Sequence, residues 1–106
     1  MTKRKPASVS HDDYVTERIK RDPEFAAEYL KAAFEEATDD TGQKVLLVAI
    51  RHIAQARGIA SVARAAGIKR ESLSRALSPR GNPRLDTLCA IVQAMGLQLT
   101  VEPAHR

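Results

Sequence analysis

Residues 59–78 read IASVARAAGIKRESLSRALS, and the architecture of the whole chain hangs on this run. Val62, Ala63 and Ala66 share one face of a first short helix at i, i+1 and i+4, while Ile68, Leu73, Ala76 and Leu77 supply the facing side of a second. Gly67 stands between them, where a sharp turn needs a positive φ that glycine adopts without steric cost. Ala63 carries only a methyl group, so the two helices can cross closely. The other positions of the second helix, Lys69, Arg70, Glu71, Ser72, Ser74, Arg75 and Ser78, are all polar. A short helix with one apolar side and a Lys/Arg/Ser outer side packs into a core and still offers donors to a DNA groove, the layout of a helix-turn-helix reader. The plainer alternative is a helical hairpin whose outer face is merely solvated.

Charge is segregated along the chain in a way that supports the first reading. The 106 residues carry a net charge of +4 and are 43% hydrophobic, enough for one small domain with a modest core. From Arg51 to Arg84 there are eight Lys/Arg against the single acid Glu71; from His11 to Ile50 there are ten acids against five bases. The basic block coincides with the two-helix unit, as phosphate contact requires. The acidic block calls for a different partner or none. No apolar run reaches the ~18 residues of a membrane span and no signal-like leader opens the chain, so a cytoplasmic protein is expected. Cys89, the one cysteine, lies on the apolar side of an expected helix and reads as a core residue.

Four segments follow. Residues 1–10 read as a disordered basic tail. Residues 11–42 form an acidic helical segment: a first helix over about Asp12 to Lys20 with Tyr14, Val15 and Ile19 apolar, then a second that Asp22 caps and Pro23 and Glu24 open. That second helix carries Phe25, Tyr29 and Phe34, three of the four aromatics, and is expected to end near Thr38 to Gly42, where Asp39 and Asp40 break the pattern. Tyr29 and Leu30 read as core; Phe25 and Phe34 are open to either core packing or contact with a partner protein. Residues 43–96 form the helix-turn-helix domain. It begins with a central helix over Gln43 to Arg57, whose wide apolar stripe implies burial on more than one side. It closes with a helix that Asn82 and Pro83 open, striped by Leu85, Leu88, Cys89, Val92 and Met95 and stopped by Gly96. Residues 97–106 hold LQLTV, which alternates like a half-buried strand; lacking a strand partner in its own chain, it is expected to pair with a second copy or with another protein. The alternative is an extended tail over the core. The fold class expected is therefore all-α, a bundle of five to six helices with a short C-terminal strand.

Catalytic and metal constellations do not assemble. His11, His52 and His105 are far apart at no metal-ligand spacing, a second cysteine is missing, and the five glycines are scattered singly rather than forming a phosphate loop. Neither a cofactor nor an enzymatic activity is expected.

With these residues in place, GIASVARAAGIKRESLSRALSPRGNPRLDTLCAIVQAMGLQL resembles the λ-repressor-like (Xre/Cro-type) helix-turn-helix of addiction-module antidote proteins, the HigA-like antitoxins. The resemblance runs from about residue 22 to 102 and includes DPEFAAEYLKAAFEEA. Lys69 departs from it, because the family often has a serine that caps the reading helix and lysine has no oxygen to do so. The resemblance implies a homodimeric repressor of its own operon that neutralises a small RelE/HigB-like toxin. The acidic block is compatible with such a toxin, since these toxins tend to be basic.

On that reading the helix from about Arg70 to Leu77 enters the major groove. Arg70 and Arg75 are the candidates for bidentate bonds to guanine, each worth about 1–3 kcal/mol of discrimination. Glu71, Ser72 and Ser74 are further base-reading candidates, while Ser61, Arg64, Lys69, Arg80 and Asn82 are phosphate candidates that set register. Solubility alone is the competing explanation of Arg64 and Arg80. Phe25 and Phe34 are the toxin-contact candidates. Two readings compete with this one: a free-standing regulator without a toxin, and a protein-binding module that has lost DNA affinity.

Overall fold

Residues 11–104, which the computed structural model describes, fold into six helices: α1 (His11–Arg21), α2 (Pro23–Glu35), α3 (Asp40–Arg57), α4 (Ile59–Ala66), α5 (Arg70–Ala76) and α6 (Leu85–Ala94). No strand occurs among the described residues, so the class is all-α as expected. The basic tail expected over residues 1–10 lies outside the described residues.

Side-chain oxygens start two of these helices. Asp22 Oδ1 accepts from the backbone N–H groups of Glu24 and Phe25, both at 3.1 Å, with Pro23 in the first turn where its missing N–H costs nothing. Asp39 Oδ1 likewise accepts from Gly42 N at 2.8 Å. That bond moves one expected boundary: Asp39 and Asp40, read as helix breakers, instead cap and open α3, and α2 already stops at Glu35. The residue type was right and its role reversed, because an aspartate that ends one helix is also a good first residue for the next. The acidic end of α3 also matches the positive pole of its dipole.

α3 is the central helix, packing against α1, α2 and α4. At Gly58 (φ 98°, ψ 112°) the chain bends by 102° into α4, which lies against α5 and α6. The shared core comprises seventeen buried apolar residues among those described, and five of them, Ala26, Ala33, Ala49, Ala54 and Ala63, are alanines. Alanine at these positions permits close helix approach, and the bulk comes from Ile19, Ile50, Ile53, Leu73, Leu77, Ile91 and Met95. Phe25, Tyr29 and Phe34 only border this core.

Two expectations about the C-terminal third need correction. α6 begins at Leu85, not at Asn82 and Pro83; its first helical bond runs from Leu88 N to Arg84 O at 2.8 Å, and no side chain caps it. Pro83 favours an extended Asn82, so the pair carries the chain away from α5 rather than into a helix. The core face of α6 is Ile91, Val92 and Met95, while Leu85 is 73% exposed and Cys89 is half-buried rather than enclosed. The buried stripe is turned slightly from the expected one, with Ile91 inside and Leu85 outside, while Leu88 still packs on the core. LQLTV shows no strand in the single chain, which supplies no partner for a ladder. Leu97 packs on the core, Leu99 and Val101 are exposed, and Glu102 pairs with Lys31 of α2 at 3.4 Å.

Candidate nucleic-acid interface

The turn between α4 and α5 is built by Gly67, which takes a left-handed conformation (φ 74°, ψ 27°). Gly67 N donates to Arg64 O at 3.1 Å and Ile68 N to Ala63 O at 3.0 Å, the paired bonds that close a helix end with a glycine just past it. Val62 and Ala63 of α4, Leu73 of α5 and Leu77, which caps its C-terminal end, are buried. With one side of α5 thus engaged, Arg70, Glu71, Ser74 and Arg75 stand exposed on the other, and Ser72 sits half-buried on its flank. Lys69 occupies the cap position of α5 without a side-chain bond and remains exposed. Its carbonyl, rather than its side chain, takes part in the helix, accepting from Leu73 N at 3.0 Å.

Past α5, Ser78 Oγ donates to Arg75 O at 2.8 Å, and Gly81 N donates to Ser78 O at 2.8 Å. This folds the loop so tightly that a Cβ on Gly81 would overlap the Ala76 carbonyl oxygen. The loop presents Arg80 and Asn82 to solvent, and Ser61 and Arg64 are exposed on α4. Every one of the polar candidates except Ser72 is therefore exposed.

Not all of the basic block is available to a ligand. Arg51 Nη1 donates to Leu77 O at 2.8 Å, and Arg57 Nε donates to Met95 O at 3.2 Å. Both are partly buried arginines of α3 that hold the last carbonyls of another helix. The remaining six, Arg64, Lys69, Arg70, Arg75, Arg80 and Arg84, stay exposed. The charge count contained no signal for this inward use, since each contact spans dozens of residues.

The acidic half has a different character. Phe25 stacks on Tyr29 (6.0 Å between centroids, 20° between planes), and the Arg18 guanidinium lies 4.3 Å from the centre of the Phe25 ring. Arg18 also donates to the Tyr14 hydroxyl at 3.0 Å and pairs with Asp22 at 3.5 Å. The Tyr14 bond, followed by the Asp22 carboxylate, raises the pKa of Arg18 above its ordinary value against the opposing effect of burial. Tyr29 Oη and His52 Nδ1 share a hydrogen bond of 2.7 Å that ties α2 to α3. Phe25 and Phe34 are both half-buried against the core, so each leaves only part of its ring for a partner. An open cleft of about 360 Å³ runs beside Arg18, Asp22 and Phe25. No single described helix is long and apolar enough to cross a membrane.

Comparison with known proteins adds what geometry alone does not. A protein of Haemophilus influenzae (strain ATCC 51907 / DSM 11121 / KW20 / Rd), described as "Uncharacterized protein", is 36% identical over 78 residues, which is 74% of this chain and 80% of that protein. No solved structure matches significantly. Residues 12–103, nearly all of the described chain, match the family described as "Probable addiction module antidote protein". The chain belongs to this addiction-module antidote family, the antitoxin side of toxin–antitoxin modules.

Proposed function

We propose that this antidote is a DNA-reading antitoxin of a type II toxin–antitoxin module. It binds operator DNA through the α4–turn–α5 unit as a λ-repressor-like (Xre/Cro-type, HigA-like) helix-turn-helix, represses its own operon in the cytoplasm and neutralises a small RelE/HigB-like toxin. The observation that carries the reading is the two-sidedness of α5, with Leu73 and Leu77 buried and Arg70, Glu71, Ser74 and Arg75 exposed. Arg70 and Arg75 read guanine edges, Glu71, Ser72 and Ser74 make secondary base contacts, and Ser61, Arg64, Lys69, Arg80 and Asn82 hold phosphates. The acidic helices α1 and α2 receive the basic toxin, with the exposed parts of Phe25 and Phe34 as apolar contacts. Membership of the antidote family favours this over a regulator without a toxin.

A homodimer reading half-sites ~34 Å apart completes the scheme. Leu97 packs on the core while Leu99 (38% exposed) and Val101 (93% exposed) stay open to solvent, so a second copy that covers these two would extend the apolar core across the two-fold axis. Sedimentation of Leu99→Asp/Val101→Asp is expected to give a monomer; a dimer in that variant would place the interface elsewhere.

The deciding experiment is fluorescence anisotropy of the purified chain with its own upstream DNA and with a scrambled duplex over a salt series. Preference of about 10³-fold or more near physiological salt is the expected result. Equal, salt-labile binding to both duplexes would overturn the reader assignment.

A further inference from the structure

We propose that Arg51 is a positioning residue for the reading helix and not one of its phosphate contacts. The inference rests on the DNA-reading function proposed above and deepens it. α5 has seven residues, fewer than two turns, and a helix that short does not hold its own geometry in water. Its N-terminal end is fixed to α4 by the Gly67 turn. At its C-terminal end the bond from Ser78 Oγ to Arg75 O is local and cannot orient the helix in the domain. Orientation there comes from the enclosed side chain of Leu77 and from Arg51, which reaches from the central helix to the Leu77 carbonyl at 2.8 Å.

Among the described hydrogen bonds this is the one that joins α3 to α5, whose closest backbone packing is with α4. Its chemistry suits the place: a guanidinium at a helix C-terminus satisfies a free carbonyl and complements the negative pole of the dipole. Base reading requires side chains held to about 0.5 Å and 10–20° of their productive geometry. Loss of the Arg51 anchor therefore misaligns Arg70 and Arg75, which costs discrimination between sequences more than attraction to DNA as such. Arg57 provides an internal control, since it makes the same kind of bond from the same helix but holds α6 through Met95 O.

The test uses the full chain with Arg51→Met and Arg57→Met, measured by anisotropy on the upstream and scrambled duplexes across salt, and by amide hydrogen exchange of the free protein. In Arg51→Met the ratio of specific to scrambled affinity is expected to fall about tenfold, with the salt slope unchanged and faster exchange confined to residues 73–78. Arg57→Met is expected to keep the wild-type ratio. If Arg51→Met does not fold, Arg51→Gln removes the charge and is too short to reach the Leu77 carbonyl; a reduced ratio there supports positioning, and a wild-type ratio overturns it. Equal weakening on both duplexes with a slope shallower by about one would make Arg51 a phosphate contact and overturn the proposal. If the wild type itself shows no preference between the duplexes, the reader function fails separately. Exchange then decides the anchor alone: faster exchange in α5 supports it and unchanged exchange refutes it.

Discussion

Replacing Gly67 with alanine isolates a single physical cost, because a Cβ built there meets no atom within 4 Å. No steric repulsion enters, and what remains is the backbone conformation at φ 74°, which costs an L-residue about 1–2 kcal/mol. The gain that alanine usually brings by restricting the unfolded chain does not offset this where φ is positive. Gly67→Ala should therefore destabilise the protein by about 1–2 kcal/mol, a fall in Tm of about 4–8 °C per kcal/mol for a domain of this size. Gly67→Asn should lose less, since asparagine tolerates the left-handed region better than alanine. Urea unfolding followed by far-UV circular dichroism, with equal m-values required across the three proteins, gives the comparison. An alanine variant within about 0.5 kcal/mol of wild type would behave as an ordinary surface substitution and would refute the reasoning. So would an asparagine variant less stable than the alanine one.

The other predictions separate packing from recognition. Gly81→Ala forces a Cβ against the Ala76 carbonyl oxygen, so it should destabilise more than Gly67→Ala in the same urea assay even though its φ is not positive; a smaller loss would mean that the loop yields easily. Arg70→Ala and Arg75→Ala should each cost about 1–3 kcal/mol on the upstream duplex and flatten its advantage over the scramble, with thermal stability close to wild type. Arg64→Ala and Arg80→Ala should weaken both duplexes alike and reduce the salt slope by about one each; an unchanged slope would assign these two arginines to solubility.

Where local chemistry specifies an element, the sequence was legible. The Asp22–Pro23 start of α2, the Gly67 turn and the alternation of Leu73 and Leu77 with exposed polar residues along α5 each depend on residues within one or two turns of each other. The candidate surface was legible for the same reason, apart from the half-buried Ser72. Part of what escaped is local loop and cap geometry, and the rest depends on distant residues. Asn82 and Pro83 carry a helix-start signal, but Gly81 closing on Ala76 O shapes a loop that delays α6 to Leu85. Arg51 and Arg57 look like any other members of a basic run, and their carbonyl partners lie 26 and 38 residues away. The Tyr29–His52 bond spans 23 residues and is equally invisible to a periodicity argument. The phase of α6 was set by its contact with α4, which pulled Ile91 inward and left Leu85 outside.

The buried alanines give this core an asymmetric tolerance. At Ile50 or Ile53, both fully enclosed, removing a methylene leaves a small void and costs about 0.5–1.5 kcal/mol. At Ala49, Ala54 or Ala63 the pressure runs the other way: two added methyl groups have to separate whole helices, at about 1–3 kcal/mol or more. Ala54→Val should therefore destabilise more than Ile53→Val although it adds hydrophobic surface, and equal or inverted losses in urea unfolding would count against close packing there. A core built this way gives up volume at its isoleucines more readily than it takes on volume at its alanines, so its response to substitution has a direction that composition alone would not suggest.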